Sequence, residues 1–191
     1  MSSLRQSYRQ IADPRKFPIQ RSFTDDGTLT GDPNMNVDGS VTPKEFYFQA
    51  EANRFVQVDG VSFSVSDAGN TTVNDYGGVA GPLTNGVTLY TISNGQEIPL
   101  TPIIKRAADF FAIGSDSQFV ELSGSSRLAV YSFSLFDYSE GILLNEGDIF
   151  GIRINDNLAG LTLHKASLDG FFQFNAAWEL TPRAVPKPKE F

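Results

Sequence analysis

Val61-Ser-Phe-Ser-Val-Ser66 alternates apolar and hydroxyl side chains without a break, and Tyr131-Ser-Phe-Ser-Leu135 repeats the pattern further along the chain. Successive side chains of a strand point to opposite faces, so each stretch reads as a β-strand with one face buried and one wet. The same rhythm sets Phe150, Ile152 and Ile154 against Gly151, Arg153 and Asn155. It also sets Phe172, Phe174, Ala176, Trp178 and Leu180 against Gln173, Asn175, Ala177 and Glu179. Phe133, Phe174 and Trp178 are therefore expected in the core. Glycines punctuate the chain at Gly60, Gly69, Gly77, Gly86 and Gly95, and again at Gly114, Gly124, Gly151, Gly160 and Gly170. Many of these steps are about ten residues, the turn spacing of an all-β sandwich or barrel. Asn85-Gly86 and Asn94-Gly95 are hairpin dipeptides, because both residue types tolerate positive φ. The pattern predicts strands near 46–50, 54–66, 87–92, 118–122, 127–137, 141–145, 148–155, 160–165 and 171–180. One stretch departs from it. Thr101-Pro102 precedes Ile103, Ile104, Ala107, Ala108 and Phe111 at helical spacing, which predicts a short helix capped by Thr101.

Gly141-Ile-Leu-Leu-Asn-Glu-Gly-Asp-Ile-Phe-Gly-Ile-Arg-Ile154 passes from one apolar strand through a tight polar turn into another. This step is similar to a turn of jelly-roll domains, and the resemblance implies two packed antiparallel sheets. The fold expected is all-β: an antiparallel, jelly-roll-like β-sandwich with an extended N-terminal arm and a short C-terminal tail. Proline sets its boundaries. Pro14, Pro18, Pro33 and Pro43 lie before residue 46, and Pro182, Pro186 and Pro188 close the chain. Proline offers no ladder donor and suits extended arms better than central strands. The division read from this is 1–39 as basic arm and Asx-rich linker, 40–182 as the sandwich, and 183–191 as a Pro/Lys-rich tail.

Charge follows the same division. Residues 1–23 hold five basic side chains against Asp13, and residues 183–191 hold three against Glu190. Residues 24–182 hold seven basic and twenty acidic side chains, a net of −13. Opposite charges steer docking and fix register, so basic tails on an acidic body suit a subunit that lays its ends on neighbours. Phosphate neutralisation dominates nucleic-acid affinity, and the body's charge disfavours that partner. No apolar run reaches the roughly 18 residues of a membrane span. Met1-Ser-Ser-Leu-Arg-Gln6 lacks the apolar stretch of a secretion signal, and synthesis in a cytoplasm is expected. With no cysteine, disulfide and thiol chemistry drop out.

Candidate chemistry is sparse. His164 is the one histidine, which rules out a three-histidine metal site. It shares a strand face with Thr162, opposite Leu161 and Leu163, and is expected to be partly exposed. No Gly-x-Ser-x-Gly elbow and no phosphate-binding Gly-rich loop occurs. Asp32, Asn34, Asn36 and Asp38 put oxygen side chains at every second residue, a weak candidate for Ca²⁺. The following Gly39 sits two places later than in an EF-hand loop, and Pro43 stands where that loop has its glutamate. An Asx-rich turn is the expectation, with no metal and no cofactor. In the arm, Arg5, Arg9, Arg15, Lys16 and Arg21 are interleaved with Tyr8, Ile11, Phe17 and Phe23. That mixture suits a peptide docking on protein, and these nine residues are the candidate partner site.

Gly31-Asp-Pro-Asn-Met-Asn-Val-Asp-Gly-Ser-Val-Thr-Pro-Lys-Glu-Phe46, with Leu83-Thr-Asn-Gly-Val87 and Leu158-Ala-Gly-Leu-Thr-Leu-His164, resembles small β-rich virion proteins of tailed bacteriophages. The likeness is one of texture and carries no diagnostic motif. It implies a non-enzymatic role in the virion among particle subunits. The expected role is a capsid decoration or cement protein, an oligomer whose basic arm docks on neighbouring subunits. A neck or tail structural protein is the alternative within the particle. A jelly-roll module binding carbohydrate or a receptor is the alternative outside it.

Overall fold

The computed structural model describes residues 16–52, 54–67, 72–113, 116–123, 126–134 and 141–174. Its elements are β1 (Lys16–Ser22), β2 (Lys44–Gln49), β3 (Arg54–Asp67), β4 (Val87–Ser93), β5 (Gln96–Pro99), helix α1 (Ala107–Ala112), β6 (Asp116–Ser123), β7 (Ser126–Ser134), β8 (Ile142–Leu144), β9 (Ile149–Ile154) and β10 (Leu163–Phe174). One sheet runs β1-β10-β3-β7-β6, with β8 also paired to β3; the other runs β2-β9-β4-β5. Every pairing is antiparallel. The pairs nest: β4 with β5, β3 with β8, β2 with β9, β1 with β10. These four pairs fall alternately in the two sheets, and the β6–β7 hairpin extends the first sheet beyond β3.

The alternation seen in the sequence becomes the core. Phe46 and Phe48 of β2, Leu89 of β4 and Phe150, Ile152 and Ile154 of β9 line the inner face of one sheet. Val61, Phe63 and Val65 of β3, Tyr131 of β7 and Leu168 of β10 line the other. Each large apolar side chain taken from water here stabilises by roughly 1.5–3 kcal/mol. Phe133 stands opposite Val61 in register. Its side chain, that of Phe174, and Trp178 lie outside what the structure describes.

β3 changes phase midway. Val56 and Val58 face inward before Asp59, and Val61, Phe63 and Val65 after it. Asp169 pairs with Gly60 and Gly170 with Val58, so Asp59 is the extra residue of a β-bulge. The backbones approach closely there, and a Cβ on Gly170 would run into the Gln57 carbonyl oxygen. The bulge lets one 14-residue strand keep both halves on the core.

Four expectations change. Lys16–Ser22, read as arm, is a strand paired with Ser167–Gln173. β1 is the sheet's edge, where Pro18 forfeits no central ladder bond. Phe23 and Met35, read as arm and linker, are fully buried, so the domain includes residues before 40. The helix begins at Ala107 and is not capped by Thr101; the Asp109 carboxylate accepts the Lys105 and Arg106 N–H groups at 2.8 and 3.1 Å. The residues around Ile104 are instead extended, with reciprocal N–H···O bonds to Val87 at 2.8 and 2.9 Å. Finally, the gap expected between strands at 160–165 and 171–180 does not exist, because Leu163–Phe174 is one strand, β10; residues 175–180 lie outside the described residues.

One buried carboxylate organises the loop before β4. Asp156 accepts the N–H groups of Thr84 (3.1 Å), Asn85 (2.8 Å) and Gly86. The Asp156→Asn variant places an amide NH₂ where one oxygen was. It is expected to lose about 1–3 kcal/mol, because buried donors left unpaired pay their full desolvation. Urea unfolding checks this, and an unchanged midpoint would refute it.

Candidate functional site

β1 and β10 bring both basic ends of the chain to one place. Lys16 pairs with Gln173, so the segment before β1 and the segment after β10 leave the body from adjacent strands at the same end. Residues 1–15 carry Arg5, Arg9 and Arg15 against Asp13, and residues 175–191 carry Arg183, Lys187 and Lys189 against Glu179 and Glu190. Residues 16–174 between them net −10.

Side chains at this end form an aromatic and cationic patch. Phe17 is 40% exposed and stacks on Phe172 with ring centroids 5.1 Å apart. The Arg54 guanidinium lies 4.9 Å from the centre of the Phe172 ring and pairs with Glu51 at 2.6 Å. From here a shallow seam runs along the facing edges of the two sheets, past Ile19 and Arg21 of β1 and Phe48 of β2. It opens into a depression of about 640 Å³ beside the 26–30 loop, Glu51 and Glu146. Leu29 stands at its rim, 68% exposed. Beyond the seam the sheets are joined edge to edge. Tyr47 and Thr24 exchange N–H···O bonds of 2.9 and 3.3 Å, while Phe23 N–H still donates to Ala166 of β10.

The arm residues read from the sequence divide accordingly. Arg5, Tyr8, Arg9, Ile11 and Arg15 lie outside the described residues. Lys16, Phe17 and Arg21 belong to β1, and Phe17 and Arg21 line the patch and seam. Phe23 is corrected. It packs in the core with its ring 5.5 Å from Phe150, and has nothing to offer a neighbour.

The Asx-rich segment is bound into the body. Met35 N–H donates to the His164 carbonyl at 2.8 Å, Leu158 N–H to Val37 and Gly39 N–H to Asp156, both at 2.9 Å. Asp32 accepts Asn34 N–H and Asp38 accepts Ser40 N–H, each at 2.9 Å, closing two Asx turns. Asn36 donates its side-chain amide to the Leu161 carbonyl at 3.0 Å. The side chains of Asp32, Asn36 and Asp38 thus serve three separate backbone groups. Among the described residues, no three His, Cys, Asp or Glu side chains gather where they could hold a metal.

His164 is corrected too. It is fully buried on the inward parity of β10, with Ala166 and Leu168. The Met35 carbonyl, 3.1 Å from Nδ1, can only accept, so Nδ1 carries the proton of the neutral ring. Nε2 then accepts from the Tyr76 hydroxyl at 2.9 Å. Burial holds the imidazole down to a pKa of about 4, partly opposed by the Met35 hydrogen bond, and pushes the Tyr76 phenol up. Both ring nitrogens are occupied and the site is sealed, so this imidazole pins two loops to β10.

Sequence reasoning also missed a charge network on the outer face of the second sheet. Arg153 makes two hydrogen bonds to Glu97 (2.8 and 2.7 Å), reaches Glu45 at 2.8 Å and lies 4.7 Å from the Tyr90 ring centre. The hydrogen bonds from Arg153 hold Glu97 below the usual carboxylate range. Gly151 makes room for the ring, since a Cβ there would meet Tyr90. Only the pairing of β2, β9, β4 and β5 brings these residues together.

No protein-family model matches the chain, and no curated protein is significantly similar to it.

Proposed function

We propose that this chain is a non-enzymatic structural subunit of a virus particle, a capsid decoration or cement protein whose basic ends dock on neighbouring subunits. The observation that carries the reading is the Lys16–Gln173 pairing, which roots both basic segments at one end of an acidic body. A neighbour's acidic surface is the complementary target. This chain offers a mainly acidic depression itself, lined by Asp25, Asp32, Glu45 (held by Arg153) and Lys44. The nested strand pairing supports a jelly-roll, an architecture that capsid, lectin and cupin domains share, so it is compatible with the role without selecting it. The burial of His164, with both nitrogens engaged, supports a non-enzymatic reading.

β1 takes up Lys16–Ser22, which leaves residues 1–15 as the segment proposed to dock. Residues 1–15, at about 3.3 Å each, reach up to roughly 50 Å. Deleting residues 2–15 spares β1 and is expected to leave thermal unfolding unchanged while abolishing co-sedimentation with particles assembled without the protein. Added salt should weaken attachment of the full chain, since exposed charges are screened beyond about 10 Å at 0.1 M. A truncated chain that sediments as tightly as the full one would refute the proposal.

A further inference from the structure

We propose that Asn94 is a site of spontaneous covalent modification, deamidating through a cyclic imide formed with Gly95 in the β4–β5 turn. The chain holds two Asn-Gly dipeptides, Asn85-Gly86 and Asn94-Gly95, and the fold treats them oppositely. Both residues of the second are exposed, at the tip of a two-residue hairpin closed by the Ser93–Gln96 pair. Their φ angles are 52° and 75°. Among the described residues, nothing hydrogen-bonds the Asn94 amide or the Gly95 N–H. With no side chain on Gly95, its nitrogen is sterically free to approach the Asn94 side-chain carbon.

Asn85-Gly86 is locked. The Gly86 N–H, which would have to lose its proton and attack, is buried and donates to the Asp156 carboxylate. The Asn85 N–H donates to the same carboxylate, and the Asn85 side-chain amide donates to the Asn155 carbonyl at 3.1 Å. A neighbouring negative charge further opposes deprotonation of that nitrogen.

The chemistry needs only water. The Gly95 nitrogen gives its proton to a solvent base and attacks Cγ of Asn94. A C–N bond forms, the Cγ–Nδ2 bond breaks, and the amide leaves as ammonia with the proton returned from solvent. Water then opens the ring at either carbonyl, giving aspartate or isoaspartate. Isoaspartate adds a carbon to the main chain of a two-residue turn, which cannot then hold Ser93 opposite Gln96. Glu97, one residue into β5, is drawn from its two hydrogen bonds to Arg153.

The test is a time course of the full chain in mildly alkaline buffer, native and in denaturant, read by peptide mass spectrometry. In the folded chain Asn94 is expected to convert at least about tenfold faster than Asn85, since freeing Gly86 means breaking hydrogen bonds to a charged group. In denaturant the two should convert at similar rates, because both precede glycine. A folded chain in which Asn94 converts no faster than Asn85 overturns the proposal.

Discussion

Acidifying the protein from about pH 7 to pH 4 is expected to remove roughly 3 kcal/mol of folding stability through His164 alone. The ring titrates near its ordinary 6.5 when unfolded and at about 4 when folded. Between those values the unfolded chain takes up a proton that the folded chain refuses. The contribution is therefore complete above pH 6.5, falls as pH drops toward 4, and falls no further below it. Carboxylates add their own acid sensitivity. Asp26, Asp38 and Asp75 are held low by hydrogen bonds from Thr28, Ser40 and Thr72 respectively, and their contributions are lost as pH falls through these depressed values. A His164→Gln variant separates the two effects, since its amide can donate to Met35 and accept from Tyr76 without titrating. Urea unfolding should show a steeper loss in the wild type than in the variant. Parallel pH profiles would refute the role given to His164.

Phe110→Ala is expected to cost about 3–5 kcal/mol, and Phe111→Ala about 0.5 kcal/mol or less. Phe110 is fully buried, stacked on Tyr131 with centroids 4.1 Å apart and tilted against Phe63 at 5.3 Å. Removing it opens a cavity beneath α1 among the rings of Tyr131, Phe63 and Tyr76. Phe111, one residue on, is 45% exposed. Similar losses for the two variants in urea unfolding would mean that α1 presents another face to the core.

That pair also shows where the sequence misleads. Helical spacing counted from Pro102 selects Phe111; the true helix, starting at Ala107, selects Phe110. The start signal at Thr101-Pro102 is overridden because Ile104 is recruited into a backbone pair with Val87, a contact invisible to local pattern. His164 is misplaced for a related reason. Leu161 is buried in the turn before β10, so its inward position says nothing about strand parity, and the inward set is His164, Ala166 and Leu168. Strands such as Val61–Ser66 are legible because alternation alone places their side chains. β1 is missed because proline argues against a strand without saying whether the position is an edge. β5 is short and exposed along its length, and it offers no alternation to read. The basic ends are plain in the composition, but their common root depends on a register between residues far apart in the chain.

That register has a temporal side. Ser93 and Gln96 meet across a two-residue turn, whereas Phe17 and Phe172 meet across 155 positions. Between these extremes each nested pair encloses the previous one, so the innermost hairpin is available long before the outermost. On a ribosome, β1 emerges well before β10 and lacks its partner until β10 follows. Until then its edge-forming backbone and Phe23 stay exposed to whatever else the cell contains. Distant pairings of this kind make folding slow relative to helical proteins of similar size. The two strands that root the basic ends, β1 and β10, thus form the outermost pair, with the longest stretch of chain between them.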